Sequence, residues 1–490
     1  LIALAVSAVA ACDKSSETVA PLGMAADRAS GFVTTQPAQA TALVRGALIK
    51  PLITVGDPIP GAQSNPDPEQ RVWAPIPDGL GAYAQGDELV LHANHELSGS
   101  GVNAKFKFSR VSRLVIDINS LSVKAGSYPI TGSFLLERLC SATWASAEEG
   151  FGSGYFLTGE EATNGVKNGV TTALSRSGTA TELPWLGHYA HENTISVPGF
   201  QSKVVLLGTD DTNGASELYM YVARSAADVL AGRGKLYAFA SDEPTHSGNL
   251  RPDRTITGQF LEIADPAAPA AALQTAVDNL GSHGAMPFVR LEDLDYVDGG
   301  KNGNGDHGAN RQGQRRSVYM VDTGSESTTG RVAGKVNVQC TAGPCDPYGS
   351  IYRVDLDSRN PIRNARLTLL TRSRGVAAGD WASPDNIAVS RKSLMVQEDP
   401  AYAGFNRAPR IWSFKLRGDG RLGDARAVVE VTNPECGTGT CWESSGIIDA
   451  SRWLGEGSWL FDVQAHGLPV PSQGLTAEGG QLLYLRLPGS

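Results

Sequence analysis

The chain predicts an all-β fold, a six-bladed β-propeller with loop insertions and a few short helices. Three observations lead there. From residue 87 onward, short apolar runs of four to eight residues recur, among them SRLVID, GYFLTG, KVVLLG, SVYMVD, SLMVQED and SWLFDV. They are rich in Val, Ile, Leu and Tyr and bounded by Gly, Asp, Asn or Ser, which is strand-like. Gly accounts for 56 of 490 residues, as many turns would require. Finally, several runs end directly on an acidic or amide group: Glu96, Glu161, Asp211, Asp322, Glu398, and Gln464 with His466. Asp and Asn are ordinary turn residues, but Glu is not, so Glu96, Glu161 and Glu398 carry the argument. Propeller strands radiate from a channel, so equivalent strand ends would converge at one mouth; in a sandwich they would scatter. Units of about 60–75 residues, longer than the roughly 40–45 of a bare WD40 blade, leave room for decorated loops.

Taken in order, Leu1 to Ala11 (LIALAVSAVAA) is apolar apart from Ser7 and reads as a clipped signal-peptide h-region. Cys12 follows in Val9-Ala10-Ala11-Cys12, an order similar to the lipobox of bacterial lipoproteins, where the Cys is lipidated. Residues 12–45, rich in Ser, Thr, Ala and Pro, read as a flexible tether. Residues 46–490 form the single propeller domain, with a partly helical excursion at about 240–285. Helical patterning is confined to Ala267–Leu280 and Ser225–Leu230. DGGKNGNGDHGAN (298–310) reads as a flexible Gly/Asn loop, because it misses the EF-hand order. Cys340 with Cys345 (CTAGPC) and Cys436 with Cys441 (CGTGTC) share one spacing, and in an exported protein each pair closes a disulfide loop. A four-Cys zinc site is the alternative, disfavoured because the spacing is not CxxC. Cys140 is left over.

Composition narrows the function. Lys+Arg number 42 against 51 Asp+Glu, a net charge of −9, which argues against nucleic acid as a partner. Past the N-terminus no apolar run approaches the roughly 18 residues of a membrane span. No GxSxG, GxxxxGK[ST] or strand-linked GxGxxG is present, so neither a nucleophile elbow nor a nucleotide or organic cofactor is expected.

The chemistry-bearing residues gather in three segments. GHYAHEN…GTDD carries His188, His191 and Glu192 before one strand run, and Asp210 and Asp211 after another. FVRLED places Arg290 and Glu292 two apart, on one face of a strand. An Arg beside a metal-binding Glu suits a phosphoryl group; a same-face salt bridge is the plainer reading. ASPDNIAVSRKSLMVQEDP sets Asp385 and Asn386 before a strand and Glu398 and Asp399 after it. Converging carboxylates repel unless a cation joins them, and oxygen donors suit calcium, magnesium, manganese or iron.

In sequence order, NHE at Asn94–Glu96, Cys140 with GYFLTGEE, GHYAHEN with its strand and DD, FVRLED, PDNIAV with QED, and the terminal ESSGIIDASRWLGEGSWLFDVQAH resemble the PhoX-type bacterial alkaline phosphatases from about residue 87 to 485. The order, more than any one motif, carries the likeness. It implies an exported six-bladed propeller whose channel mouth holds calcium and iron and hydrolyses phosphate monoesters. By resemblance, Cys140 and Glu192 match iron ligands, Glu292 a metal ligand and Arg290 a phosphate clamp, with Glu161, Asp211 and Glu398 beside calcium. The full set of candidates is Arg290 and Glu292 for catalysis; Cys140, Glu96, Glu160, Glu161, Glu192, Asp211, Glu292, Glu398 and Asp399 for metal; Arg290, Asn386 and His191 for substrate. The implied partner is a small phosphorylated molecule. A membrane enters only through a lipid on Cys12, in a periplasmic, outer-membrane or cell-surface lipoprotein. The segment SATWASAEEGFGSG after Cys140, longer than the resemblance suggests, keeps a second reading open: a non-catalytic, calcium-stabilised surface or binding propeller. A phosphodiesterase or phytase-like propeller is the third.

Overall fold

Alternation along the strands decides how the sheets stack. In Ser458–Ala465, Trp459, Phe461 and Val463 enter one apolar cluster and Leu460 the opposite one, so both faces of the strand are buried. The same holds for Val204–Asp210, where Val205 and Leu207 face one side and Val204 and Leu206 the other. Sheets buried on both faces must stack against further sheets, and a closed ring of them leaves no open face.

The computed structural model describes residues 31–489 except 214–215, 243–245, 298–314, 326–331, 334–335, 338–345, 401–404, 434–435 and 437–440. It is an all-β propeller. Six antiparallel runs begin on inner strands β1 (Pro77–Gln85), β2 (Leu139–Ala145), β3 (His191–Val197), β4 (Leu291–Tyr296), β5 (Pro384–Val389) and β6 (Glu443–Asp449). Each inner strand neighbours the next, and β6 returns to β1. They surround a channel of about 870 Å³ lined by Leu80, Ala142, Asn193, Leu294, Ile387 and Ile447, one from each. The six largest apolar clusters occupy the six seams between adjacent runs.

The chain closes on itself through its early residues. Leu48–Thr54 pairs with the last strand, Gly479–Arg486, so residues far apart in sequence complete one sheet. Ala40–Ala42 pairs with Leu422–Val431, and Phe32 bridges Val123. Residues 31–45, read as tether, therefore belong to the fold; a small-residue stretch serves as well for an edge strand. The excursion at 240–285 contains Thr255–Glu262, which pairs with Lys235–Ala240 on one side and Ala365–Arg372 on the other, fusing two runs into a nine-stranded sheet. Its helix is Ala270–Asp278, and the shorter expected helix is Ala226–Leu230, capped by Ser225. Cys436 and Cys441 form a disulfide. Cys12, Cys340, Cys345 and the 298–310 loop lie outside the described residues. No helix among the described residues is long and apolar enough to cross a membrane.

Candidate functional site

One backbone hydrogen bond, repeated in five of the six runs, builds the site. The residue that leaves each second strand donates its N–H to the carbonyl of the residue just before the inner strand. The pairs are Glu96 to Ile76, Glu161 to Arg138, Asp211 to Ala190, Thr323 to Arg290 and Asp399 to Ser383, at 2.8–2.9 Å. Immediately beyond, five inner strands carry a side chain with ligating chemistry at their second residue: Asp78, Cys140, Glu192, Glu292 and Asp385. A β-bulge follows each of them. Bulges re-aim side chains, and here they turn all five toward one end of the channel. The sixth strand contributes its first residue, Glu443.

Eight carboxylates and a thiol are thereby joined in four overlapping groups: Asp78–Glu96–Cys140, Cys140–Glu161–Glu192, Glu192–Glu292–Asp385 and Asp385–Asp399–Glu443, each with ligand atoms within 4.8 Å of one another. Two arginines thread the cluster. Arg290 Nε lies 2.6 Å from Asp211 Oδ1 and 3.3 Å from Glu292 Oε1, and its Nη1 is 3.9 Å from Asp399 Oδ2. Arg138 reaches Glu96 at 3.1 Å and Glu161 at 2.7 Å. Cys140 Sγ donates to Glu161 at 2.9 Å. Ser141 Oγ donates to Glu192 at 2.5 Å and accepts from Asn386 Nδ2 at 2.6 Å. His466 stands between Glu478, at 2.7 Å, and Glu443, at 3.4 Å.

Burial dominates the electrostatics. It pushes the Glu192 carboxyl up to about 8, with the Asp211 charge adding to it. Burial likewise raises Asp78, Glu161, Glu292 and Asp385, and each of the four also feels neighbouring carboxylates. The Cys140 thiol is raised by burial and then by Glu161. Positive charge beyond that of the two arginines would favour the ionised forms of these groups. The site's oxygen donors suit a hard cation such as calcium, and its one sulfur adds a softer ligand that suits iron.

Strand alternation separates the predicted residues. Glu96, Cys140, Glu161, Glu192, Asp211, Arg290, Glu292 and Asp399 are brought together. Their sequence neighbours Glu160, His191 and Glu398 point the other way. Glu160 accepts the Glu137 and Gly169 N–H groups. Glu398 takes a bidentate pair from Arg407, at 2.7 and 2.8 Å, and the Ala382 and Arg410 N–H groups. His191 is buried against Tyr189, its ring nitrogens on Thr171 and the Gly187 carbonyl, and burial holds it down to about 3. Asp322, at the matching place, accepts the Val289 and Arg290 N–H groups. His188 meets the Asn168 carbonyl, and Asn386 stands behind Ser141. Asp78, Glu443 and Arg138 complete the site without having been singled out in the sequence, together with Asp385 and His466, which had been noted at strand ends but given no role. Two signals could have found some of them. Pro77-Asp78-Gly79 and Pro384-Asp385-Asn386 open equivalent strands, and Arg138-Leu139-Cys140 repeats Arg290-Leu291-Glu292.

Fold and site together define a β-propeller with an acidic channel mouth whose side chains could hold cations. The family model for alkaline phosphatase PhoX matches residues 156–440, more than half of the chain. The chain belongs to that family. Among solved structures, it resembles Pseudomonas fluorescens PhoX in complex with vanadate, a transition state analogue, with a TM-score of 0.62 at 14% identity, covering 93% of this chain and 98% of that one. A subtype N11 neuraminidase-like protein of A/flat-faced bat/Peru gives 0.38 at 9% identity, covering 90% and 95%. The GH43_1 enzyme of Xanthomonas citri gives 0.34 at 10%, covering 86% and 90%. Comparison with curated proteins gives no match.

Proposed function

We propose that this chain is a metal-dependent phosphatase that hydrolyses phosphate monoesters at the acidic mouth of the channel. The observation that carries the reading is a single guanidinium, Arg290, held by Asp211 among carboxylates drawn from all six inner strands or their partners. Family membership supports it.

Cys140, Glu161 and Glu192 would hold the iron, and Glu96, Glu292, Asp385, Asp399 and Glu443 would hold calcium beside it. Such ions lend Lewis acidity to phosphoryl oxygens and raise the nucleophilicity of an attacking oxygen. The chain's own groups do the rest. Arg290 offers its fork to the phosphoryl oxygens, a geometry that Lys cannot reproduce. Ser141 and Asn386 fix the Glu192 carboxylate. Arg138, 47% exposed, stands at the rim as a second cation for an approaching anion. Export and a lipid on Cys12 would place the enzyme outside the cytoplasm.

The test is turnover of p-nitrophenyl phosphate, bis(p-nitrophenyl) phosphate and phytate by protein supplied with calcium and iron. Monoester hydrolysis, lost in Arg290→Ala, is expected. A faster diester or phytate reaction would select the third reading. Calcium bound without a transition metal, and no turnover, would select the non-catalytic propeller.

A further inference from the structure

Every backbone N–H from Phe288 to Leu291, the segment that leads into β4, is taken by one of two residues outside it. Phe288 donates to the Ser216 carbonyl and Leu291 to Ser216 Oγ, both at 2.8 Å. Between them, Val289 and Arg290 donate to the two oxygens of one carboxylate, Asp322 Oδ2 and Oδ1, both at 3.0 Å. The Arg290 carbonyl accepts the Thr323 N–H at 2.9 Å. The backbone on both sides of the Arg290 Cα is therefore fastened to residues 322 and 323, at the end of the second strand of its own run.

Asp322 is built for that grip. It is 0% exposed, and its Oδ1 also accepts the Gly324 N–H at 2.9 Å. Burial and the charge of Asp346 push its carboxyl up to about 7, while the three N–H groups favour its ionised form. Gly324 turns back to reach it at φ +83°, where a Cβ would stand 2.5 Å from the Asp346 carbonyl oxygen and 2.7 Å from the Gly349 nitrogen. Only Gly fits that turn. The run of Arg138 lacks this arrangement. There the matching carboxylate, Glu160, takes the N–H of Glu137 and leaves that of Arg138 to the Leu97 carbonyl.

We propose that Asp322 is the positioning residue of Arg290: it fixes the backbone from which the guanidinium reaches a phosphoryl group, as Asp211 fixes the guanidinium itself, and so sets the site's affinity for that group. This rests on the reading of the mouth as a phosphatase site. An arginine fixed at both ends has less conformational freedom to lose when phosphate binds. Asp322 touches neither substrate nor the candidate metal ligands; its effect passes through Arg290.

Asp322→Asn keeps the shape, but one acceptor becomes an NH2 that faces an N–H. It should raise KM for p-nitrophenyl phosphate and the Ki of inorganic phosphate by about 10-fold, with kcat within about 3-fold of wild type. Metal content should be unchanged. A merely structural role would lower Tm and leave KM and Ki alone. In an Arg290→Ala background the same change should add nothing to the Ki. A wild-type Ki in Asp322→Asn, or an equal further loss in the Arg290→Ala background, would overturn the proposal. Glu stands at the matching place in two other runs, as Glu160 and Glu398, so Asp322→Glu serves if Asp322→Asn does not fold. Its longer arm moves the carboxylate off the two N–H groups; a raised Ki is expected, and a wild-type Ki overturns the proposal here too. A wild-type chain that neither hydrolyses monoesters nor binds phosphate would sink the phosphatase reading instead. The crystal structure of the Asp322 variant then decides: Arg290 displaced from Asp211 is expected, and a guanidinium still seated on Asp211 would overturn the positioning role.

Discussion

Arg290 is bound to Asp211 by two contacts, Nε to Oδ1 at 2.6 Å and Nη2 to Oδ2 at 2.9 Å, across two neighbouring runs of the nine-stranded sheet. Asp211 leaves the second strand of one run, and Arg290 immediately precedes β4 in the next. The carboxylate therefore fixes the direction of the guanidinium from outside its own run. Hydrogen bonds to charged groups contribute about 1.5–3 kcal/mol, and each 1.36 kcal/mol is a tenfold change in rate. Asp211→Asn is expected to lower kcat/KM on p-nitrophenyl phosphate by about 10-fold, mainly through KM. Arg290→Lys should lose about 100-fold, since it keeps charge but not the fork. Steady-state kinetics decide; an unchanged KM in Asp211→Asn would show that Arg290 is aimed by something else.

Glu398 and Asp399 are adjacent and should behave oppositely. Glu398 is fully buried against Arg407, whose guanidinium also lies over Phe405 and Trp412. Removing one partner of a buried pair costs about 3–5 kcal/mol. Glu398→Ala should therefore lower Tm sharply while the folded fraction keeps its metal content. Asp399→Asn should keep Tm nearly unchanged in chelator and lose bound metal. Melting curves and elemental analysis of both variants check this. Metal loss in folded Glu398→Ala would return Glu398 to the cluster.

Much of the fold and site is legible in the sequence, for a reason particular to propellers. Strand ends recur, so the acid after each second strand stands out even with long loops between, as at Glu96, Glu161 and Asp211. What could not be read was which of two neighbouring acids faces the channel. That depends on the bulge after Cys140, Glu192 or Asp385, and a one-residue irregularity leaves no mark in composition. Glu443 and Asp78 were missed because each is a single acid at the start of an inner strand, with no acidic neighbour. The pairing of Ala40–Ala42 was missed because three small residues carry no strand period.

Arg138 occupies, in its own run, the place that Arg290 holds in another, since Glu161 and Thr323 donate to their carbonyls alike. Their exposure differs: the Arg138 side chain is 47% exposed and that of Arg290 12%. An exposed charge is screened and contributes about 0–1 kcal/mol. Arg138→Ala should thus reduce kcat/KM by less than about 10-fold and show its effect chiefly at low ionic strength. A salt titration of the rate in wild type and variant measures it. A loss as deep as that of Arg290→Ala, insensitive to salt, would make Arg138 a direct phosphate ligand.

His92 gives the fold a sensitivity to acid. It is 2% exposed, stacked on Trp144 with ring centroids 5.6 Å apart and on Phe156 at 5.3 Å, and its Nδ1 has no partner. Burial, and then the charge of Arg113 opposite it in the ladder, hold its pKa down to about 3 from 6.5. Between those values the unfolded chain binds the proton and the folded chain does not. The stabilisation is therefore complete above about pH 6.5 and is lost as pH falls toward 3. Every tenfold difference in proton affinity between the folded and unfolded chains corresponds to about 1.4 kcal/mol. His92→Phe keeps an aromatic ring in the stack and removes the titration. It should match wild type within about 1 kcal/mol at pH 7 and be the more stable of the two at pH 4, by about 1–3 kcal/mol. Urea unfolding at the two pH values measures the difference. His95 and His191, also held to about 3 by burial, will keep part of the acid slope in the variant. Identical slopes in wild type and His92→Phe would show that His92 is already protonated within the stack, and that Trp144 and Phe156 hold a cation between them.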